Sequence, residues 1–543
     1  MKTKEITVTI NEYGKVQTIA ATKGERLKAV LDRAGVKYAL PCGGGARCGR
    51  CRIKFLSGAP TPGSYEEMFL TEEETKQGIR ILCRTVIYED CEVELIGSLK
   101  EQGMSALTLN DEEMPDAGMQ TDIPEPSGSN EAEAEGAYGI AIDLGTTTIA
   151  AALIQSTIDG YKVVGTSSCV NSQRKYGADV ISRISAAEDA GIRQALRNTV
   201  VTDIENLIKE LTTSHNITYL GKSPDLKAIT ITGNTTMLYL LAGRDAASLG
   251  KYPYTAEYLQ KEQMLSDILL DNIPDISLTV LPGISAFVGA DIVAGLFTLD
   301  LNKDEKFFFI DLGTNGEMAF YDGEHLKVTS TAAGPVFEAG GIGCGVASIP
   351  GAIDHVKIEG AARDHRVHIG TIGGAAPIGI CGTGVMEAVS ELVRTGLTDE
   401  TGLLTEEYFD EGFPLTDDGR IRLTQSDIRN VQLAKAAIFT GAKTLLDGKI
   451  PDKVYISGGF GSKISQENVE ELHMFPEEFN GKIIAIGNSA LKGAAEYTAC
   501  VLSGWEAEAD ASAKLDLITD MAQLTELATM DGFDEDYIAA MNF

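Results

Sequence analysis

The chain has 543 residues, which at roughly 150 residues per domain allows two to four domains. Its 79 acidic and 46 basic residues give a net charge of −33, which argues against nucleic acid or an anionic membrane as a main partner. No apolar run reaches the ~18 residues of a membrane-spanning helix, and the N-terminus lacks a signal-peptide core. Nine unevenly spaced cysteines are not typical of a secreted disulfide framework, so we expect a cytoplasmic protein.

Residues 1–97 are predicted to form one small domain. Alternating polar and apolar residues over 5–10 and 15–20, joined by a turn, indicate a hairpin. Helical spacing of apolar residues predicts a helix over 25–35 that ends at Gly35. Further strands are predicted at 52–56, 79–83 and 91–96. This combination indicates a β-grasp sheet.

Four cysteines of this domain have the spacing of a cluster-binding site. Cys42, Cys48 and Cys51 form a C-x5-C-x2-C loop rich in small residues, and Cys83 follows after 31 residues. Four thiolates in such an arrangement are typical of a [2Fe–2S] cluster. A structural zinc site is the alternative, but zinc sites usually consist of two close cysteine pairs. Cys91 is predicted to be a buried strand residue.

Two glycine turns that follow apolar strands are candidate phosphate loops. Asp143 precedes Gly145, Thr146 and Thr147, and Asp311 precedes Gly313, Thr314 and Asn315; the two aspartates lie 168 positions apart. In each turn the carboxylate can hold a water bound to Mg²⁺, and the hydroxyl and N–H groups can surround a phosphate. A third strand ends at Gly458, Gly459 and Gly461, which leave room for adenine and ribose. The repetition predicts two related α/β lobes.

Charge and composition divide the chain into four regions. Residues 98–136 carry ten acids and one lysine, which predicts a flexible acidic linker. Residues 137–502 alternate strand and helix patterns and form the two lobes. Residues 503–543 again carry ten acids and one lysine, which predicts an acidic tail with a helix over 515–527. The first 97 residues have a net charge of +2, and Arg47, Arg50, Arg52 and Lys54 surround the cluster loop.

These motifs resemble known families. Residues 1–97 resemble 2Fe-2S ferredoxins. Residues 143–147, 311–315 and 457–462 resemble the two phosphate motifs and the adenosine motif of the acetate and sugar kinase/heat-shock protein/actin superfamily, and 232–237 and 487–494 resemble its connecting-helix motifs. The expected fold class is therefore α+β and α/β, with an N-terminal β-grasp ferredoxin domain followed by a two-lobed actin-like ATPase fold.

The order of these parts resembles the reductive activators of corrinoid-dependent methyltransferases. Further matching segments lie at 171–183, 334–338, 350–353, 379–384 and 538–543. The resemblance implies ATP-dependent reduction of inactive Co(II) corrinoid to Co(I) on a partner protein, with ATP and Mg²⁺ in the lobes. Plant-type clusters have potentials of about −400 mV, and the Co(II)/Co(I) couple of a corrinoid is expected to lie lower. This electron transfer is therefore uphill and requires coupling to ATP. A ferredoxin or flavodoxin is the expected electron donor, attracted by the basic cluster loop, and a homodimer is left open.

Other functions fit parts of the pattern. The runner-up is a metabolite kinase with a redox-sensing ferredoxin domain, in which Asp311 or Glu317 would serve as the carboxylate base. An ATP-driven electron donor to another enzyme and an electron-transfer module with regulatory lobes are further alternatives. Glu338 and Glu387 are weaker candidates for nucleotide or partner contact.

Overall fold

A computed structural model describes residues 5–12, 15–36, 51–63, 66, 70, 72–95, 136–157, 160–220, 225–273, 275–301, 304–361, 364–458, 466–530 and 532–543. Four of the predicted site residues lie outside these ranges, namely Cys42, Cys48, Gly459 and Gly461. Nearly all of the predicted linker also lies outside them. Among the described residues, every helix is too short or too polar to span a bilayer.

The first unit is a mixed five-stranded sheet that holds one helix against its face. Its elements are β1 (Glu5–Glu12), β2 (Lys15–Thr22), β3 (Glu25–Arg26), α1 (Leu27–Arg33), β4 (Arg52–Ser57), α2 (Glu72–Lys76), β5 (Ile79–Ile81), β6 (Val86–Ile87) and β7 (Cys91–Glu94). The strand order is β2-β1-β7-β4-β5, with β1 and β7 parallel. This is the predicted β-grasp arrangement. The helix begins two residues later than predicted, because 25–26 pair with β6, and Gly35 follows its end with φ +71°.

The second unit begins with a six-stranded sheet and its helices. Its elements are β8 (Tyr138–Leu144), β9 (Thr148–Thr157), β10 (Gly160–Val170), α3 (Val180–Ala187), α4 (Ala190–Ser214), β11 (Leu226–Gly233), α5 (Thr235–Leu241), β12 (Glu262–Leu265), β13 (Ser277–Val280) and α6 (Ala290–Phe297). The order is β10-β9-β8-β11-β13-β12. Strand β9 is antiparallel to both of its neighbours, β8 and β10. Strands β11 and β13 run parallel to β8. Parallel central strands buried on both faces explain the continuous apolar runs in the sequence.

A second six-stranded sheet follows in the third unit. Its elements are β14 (Phe307–Leu312), β15 (Gly316–Tyr321), β16 (Leu326–Thr331), β17 (Ala352–Ala361), β18 (Asp364–Thr371), β19 (Gly379–Ile380), α7 (Gly382–Arg394), β20 (Phe413–Pro414), β21 (Arg422–Leu423), α8 (Gln425–Leu446), β22 (Lys453–Ser457), α9 (Gln466–Glu471), β23 (Ile483–Ala485), α10 (Ser489–Ser503), α11 (Trp505–Met521), β24 (Ala522–Leu524) and α12 (Phe533–Ala539). The order is β23-β22-β14-β15-β16-β24.

The two sheets repeat one topology. In each, an antiparallel β-meander (β8-β9-β10 or β14-β15-β16) is followed by two parallel strands on the other side of its first strand. The prediction of two related lobes is therefore confirmed in structure. Both candidate phosphate loops are the first hairpin turn of a meander, so the repeat places equivalent loops in equivalent positions.

Helices α6 and α10 join the lobes. The two helices pack so closely that a Cβ on Gly493 would lie only 1.9 Å from the Ala294 carbonyl oxygen. Glycine is therefore required at this position. The first connecting-helix motif, predicted at 232–237, covers the end of β11 and the start of α5. The helix in close contact with α10 is instead α6, which starts at Ala290.

The acidic C-terminal region forms ordered structure. The helix predicted over 515–527 begins earlier, at Trp505, and ends at Met521, where the chain turns into β24. This short strand pairs in parallel with β16 and completes the second sheet. Helix α12 then packs on α8, which brings Phe543 into a buried position.

Candidate nucleotide and cluster sites

The first phosphate loop is a tight turn between β8 and β9. Asp143 lies at the end of β8 and is half-buried. The N–H of Gly145 donates to the Thr148 carbonyl at 3.0 Å, and a Cβ on Gly145 would lie 2.7 Å from that oxygen. Among the described residues, the N–H groups of Thr146 and Thr147 have no hydrogen-bond acceptor. They are therefore available to an anion, as a phosphate loop requires.

A separate segment fixes the three carbonyls of this loop. Asn171 Nδ2 donates to the Gly145 carbonyl at 2.9 Å, and the Asn171 N–H donates to that of Thr147 at 2.9 Å. The guanidinium of Arg183, which is fully buried, donates to the Thr146 carbonyl at 2.6 Å. With the carbonyls held on one side, the free N–H groups are directed to the other. This gives a structural role to the segment 171–183.

The second phosphate loop is a tighter turn at the equivalent position of the other lobe. The N–H of Gly313 donates to the Asn315 carbonyl at 3.0 Å, which closes the turn. Asp311 accepts a hydrogen bond of 2.8 Å from Ser457 at the end of β22. Asn315 Nδ2 lies 3.2 Å from Glu317 Oε1 and donates to it. The strand ends thus place both carboxylates at the mouth of the second loop.

Carboxylates from both lobes meet in one cleft. Burial, together with repulsion from Asp311, raises the pKa of Asp143 to about 7, although a hydrogen bond from Asn488 opposes the shift. Burial also raises the pKa of Asp311, and burial with repulsion from the neighbouring carboxylates raises that of Glu317 well above its ordinary value. Such mutual repulsion indicates a place for a cation.

Asp291 is a further member of this cleft that sequence reasoning missed. It lies at the start of α6, and burial with repulsion from Asp311 and Asp143 raises its pKa well above the ordinary value. In the sequence, Asp291 is marked only as an acidic residue in the first turn of an otherwise apolar helix. Its proximity to Asp143 depends on the crossing of α6 and α10, which the sequence does not display.

The cleft fits Mg²⁺ held through water. Among the described residues, no three His, Cys, Asp or Glu side chains are grouped so as to ligate one metal ion directly. Magnesium commonly keeps several waters and takes only one or two carboxylates together with phosphate oxygens. Asp143 and Asp311, each at the end of a strand beside a phosphate loop, fit that mode of binding.

The predicted adenosine loop is described only at its first glycine. Gly458 follows β22 with φ +96°, and a Cβ there would lie 2.7 Å from the Leu312 carbonyl oxygen. Its N–H donates to the Gly487 carbonyl at 3.0 Å, which joins this loop to the start of α10. Gly459 and Gly461 remain predictions outside the described residues.

Glu338 lies between the two phosphate loops. Its Oε2 accepts a hydrogen bond of 2.9 Å from Thr147 Oγ1 of the first loop, and the Thr314 side chain of the second loop also stabilises its ionised form. Arg174 attracts it as well, whereas burial raises its pKa overall. Glu387 instead lies on α7, where it accepts from the Val356 N–H at 2.8 Å and has a structural role.

Two of the four predicted cluster ligands are described, and they lie on adjacent backbone. The N–H of Leu82 donates to the Cys51 carbonyl at 2.7 Å, which brings Cys83 next to the end of the cysteine loop. Both thiols are buried, with 4% and 5% of each residue exposed. A buried pair from two separate segments fits the expected cluster site. Cys91 is buried in β7, and burial raises the pKa of its thiol to about 11.

Comparisons with known proteins agree with this arrangement. Residues 10–88 match the model of the 2Fe-2S iron-sulfur cluster binding domain. Residues 138–304 match the RACo middle region, and residues 305–543 match the C-terminal domain of RACo, the ASKHA domain. The three matches follow one another in the order of the three units.

Among curated proteins, the chain is similar to the corrinoid activation enzyme RamQ of Eubacterium limosum, with 31% identity over 405 residues, 68% of this chain and 65% of RamQ. It is also similar to the [Co(II) methylated amine-specific corrinoid protein] reductase of Methanosarcina barkeri, with 26% identity over 66% of this chain and 69% of the relative. The chain thus spans about two thirds of the length of these curated relatives.

A solved structure named reductive activator for corrinoid,iron-sulfur protein matches over 99% of this chain and 98% of its own, with a TM-score of 0.65 and 27% identity. The match therefore extends across the cluster domain as well as both lobes. The chain belongs to the RACo family, with a 2Fe-2S cluster binding domain ahead of the RACo middle region and the RACo ASKHA domain.

Proposed function

We propose that the protein reduces a Co(II) corrinoid protein to the Co(I) state, using ATP and an electron that passes through a [2Fe–2S] cluster. The observation that carries the proposal is the pairing of two equivalent phosphate loops with half-buried carboxylates in a chain that also holds a 2Fe-2S binding domain. The activities named for the similar proteins support it.

In the nucleotide cleft, we assign Asp143 and Asp311 to hold the waters of Mg²⁺. The N–H and hydroxyl groups of 145–147 and 313–315 bind the phosphates, and glycines 458, 459 and 461 border the adenosine. Glu317, hydrogen-bonded by Asn315, orients the water that attacks the terminal phosphate. Closure of the lobes about α6 and α10 then links the state of the nucleotide to the relative position of the two sheets.

In the cluster domain, Cys42, Cys48, Cys51 and Cys83 are the proposed ligands. When bound, the cluster supplies one-electron transfer at low potential. The burial of Cys51 and Cys83 excludes water from their sulfurs. The chain thereby keeps the electron-transfer site and the ATP site on separate units.

We further propose a ferredoxin or flavodoxin as electron donor, in a cytoplasmic setting, and a homodimer as the assembly. The basic residues around the cluster loop support donor docking through charge. Arg52 lies 3.0 Å from Glu74 and Lys54 lies 3.8 Å from Glu94, which weakens their positive potential. We therefore expect Arg47 and Arg50 to contribute most of the ionic-strength dependence of reduction by the donor.

The decisive experiment mixes chemically reduced protein, ATP and purified Co(II) corrinoid proteins of methyltransferase systems, and follows the Co(I) absorption band. We expect Co(I) to form only when ATP is present. In Asp143→Ala, ATP should no longer increase the formation of Co(I). Failure of every corrinoid protein to yield Co(I) would refute the proposal. Transfer of phosphate from ATP to a sugar or organic acid in parallel assays would favour a metabolite kinase instead.

A further inference from the structure

Glu338 holds hydrogen-bonding groups that a phosphate would also require. Its carboxylate accepts from Thr147 at 2.9 Å and is stabilised by Thr314, so one anion contacts both phosphate loops. A terminal phosphate placed between the loops would accept hydrogen bonds from the same two side chains. Two anions cannot share these donors without strong repulsion in a partly desolvated cleft.

Among the described residues, Arg174 is the cation whose charge acts on Glu338. It belongs to the short 3-10 turn Ser172–Lys175, which Asn171 ties to the first phosphate loop. Its guanidinium feels the charge of Glu338, yet no carboxylate of the described residues lies within the 4.0 Å of an ion pair with it. It is half-buried on the rim of the cleft. An arginine so placed is suited to a phosphate oxygen.

The structure allows the Glu338 side chain to leave without unfolding its segment. The preceding residues Val336 and Phe337 are buried in the core and anchor the turn Pro335–Glu338. Glu338 itself is accessible to solvent from within the cleft, although the protein around it is dense enough to raise the pKa of its carboxyl. The next residue, Ala339, is left-handed with φ +58°, so the chain turns sharply directly after the carboxylate. The side chain can therefore rotate outward while the core contacts persist.

We propose that Glu338 competes with the terminal phosphate of ATP for the Thr147 and Thr314 hydroxyls, and that Arg174 binds that phosphate once Glu338 has moved away. Glu338 and Arg174 then distinguish ATP from ADP, because ADP lacks the group for which they compete. This inference rests on the proposed nucleotide-binding function and names the residues that sense the terminal phosphate.

The experiment measures the dissociation constants of ATP and ADP, each with Mg²⁺, by titration calorimetry on the full chain. We expect Glu338→Ala to tighten ATP binding about tenfold, because a like charge has been removed, and to leave ADP binding unchanged. Arg174→Gln should weaken ATP binding about tenfold, also without an effect on ADP. Glu324→Ala, at an exposed position in the turn between β15 and β16, is the matched control and should alter neither constant.

A second readout does not depend on affinity. Hydrogen exchange of residues 334–345 should increase when Mg-ATP binds to the wild-type chain, but not with Mg-ADP. Equal effects of Glu338→Ala on ATP and ADP, or weaker ATP binding in that variant, would overturn the inference. Slow hydrolysis with unchanged ATP affinity would also overturn it, because Glu338 would then act on the water instead. If the wild-type chain bound neither nucleotide, the proposed function itself would fail.

Discussion

The side chain of Asn488 joins the start of α10 to the first phosphate strand, 345 residues earlier. Its Nδ2 donates to Asp143 Oδ2 at 2.9 Å, while its Oδ1 accepts from the Leu491 N–H at 2.8 Å and caps the helix. One amide therefore both caps the start of a helix and orients the carboxylate proposed to hold Mg²⁺. Because α10 crosses α6 at the junction of the lobes, this contact couples the cleft to the joint.

The two roles of Asn488 can be separated by substitution. Serine preserves an N-cap but cannot reach Asp143, so we expect Asn488→Ser to retain the free energy of unfolding within about 1 kcal/mol. Its affinity for Mg-ATP should fall about tenfold, since a hydrogen bond to a charged group contributes about 1.5–3 kcal/mol. Denaturant unfolding and calorimetric titration measure the two effects. Asn488→Ala should lose both the helix cap and the hydrogen bond to Asp143, so its stability and its Mg-ATP affinity should both fall. Unchanged Mg-ATP affinity in the serine variant would contradict the role of Asn488 in orienting Asp143.

Proton release should accompany Mg-ATP binding near neutral pH. With a pKa of about 7, Asp143 is about half protonated at pH 7, and an adjacent cation lowers that pKa and expels the proton. Affinity should therefore rise from pH 6 to pH 8. In the absence of the cation, the stability of the protein should change with pH in the opposite direction. Because the carboxylate of Asp143 binds protons more tightly in the folded state than in the unfolded state, the free energy of unfolding decreases as pH rises from about 4 to 7.

Calorimetry in buffers of different ionisation enthalpy measures the released protons. We expect Asp143→Asn to reduce the number released. Asp322→Asn is the control, because an ion pair with Lys449 holds the pKa of Asp322 well below its usual range and it is already ionised. Identical proton release in wild type and Asp143→Asn would show that another group titrates.

The two phosphate loops could be predicted because each follows directly from a local pattern. An apolar strand that ends in Asp-x-Gly must place its carboxylate at the sheet edge beside a turn, whatever the rest of the fold. Asp143 and Asp311 were therefore found without any knowledge of tertiary structure. The β-grasp strands followed equally from alternation and turn residues.

Asp291 and the roles of Arg174 and Glu338 could not be predicted in this way. Each acts through at least one partner more than 100 residues away, and their proximity arises from the crossing of helices and the opposition of two lobes. Strand β24 is a similar case. Three residues have no detectable period, and they form a strand only because the open edge of β16 lies beside them.

Cys83 and Cys91 offer a matched test of the cluster site. Both thiols are buried in the same domain, and the hydrogen bond from the Leu82 N–H to the Cys51 carbonyl brings Cys83 next to the described end of the cysteine loop. Burial and the neighbouring acids Asp90 and Glu89 keep the Cys91 thiol protonated, with a pKa of about 11, which disfavours ligation. We expect Cys83→Ser to lose the visible absorption and the electron paramagnetic resonance signal of the reduced [2Fe–2S] cluster. Cys91→Ala should retain both, and the reverse pattern would exclude the proposed ligand set.

Lys435 should make the stability of the second lobe depend on alkaline pH. It is almost fully buried on α8, donates to the Asn542 carbonyl and lies 5.3 Å from the ring centre of Phe543. Burial lowers its pKa to about 8. The unfolded state therefore binds more protons between about pH 8 and 10.5, and stability rises with pH in that window, by up to about 1.4 kcal/mol per pH unit.

The difference in unfolding free energy between wild type and Lys435→Met isolates this effect, because other groups titrate equally in both. We expect the wild type to gain stability relative to the variant as pH rises from 8 to 10, as measured by urea unfolding. Lys162→Met, at an exposed position on β10, is the control and should follow the wild-type curve. Parallel curves for wild type and Lys435→Met would mean that Lys435 remains fully charged, and that the C-terminal residues do not seal it from water.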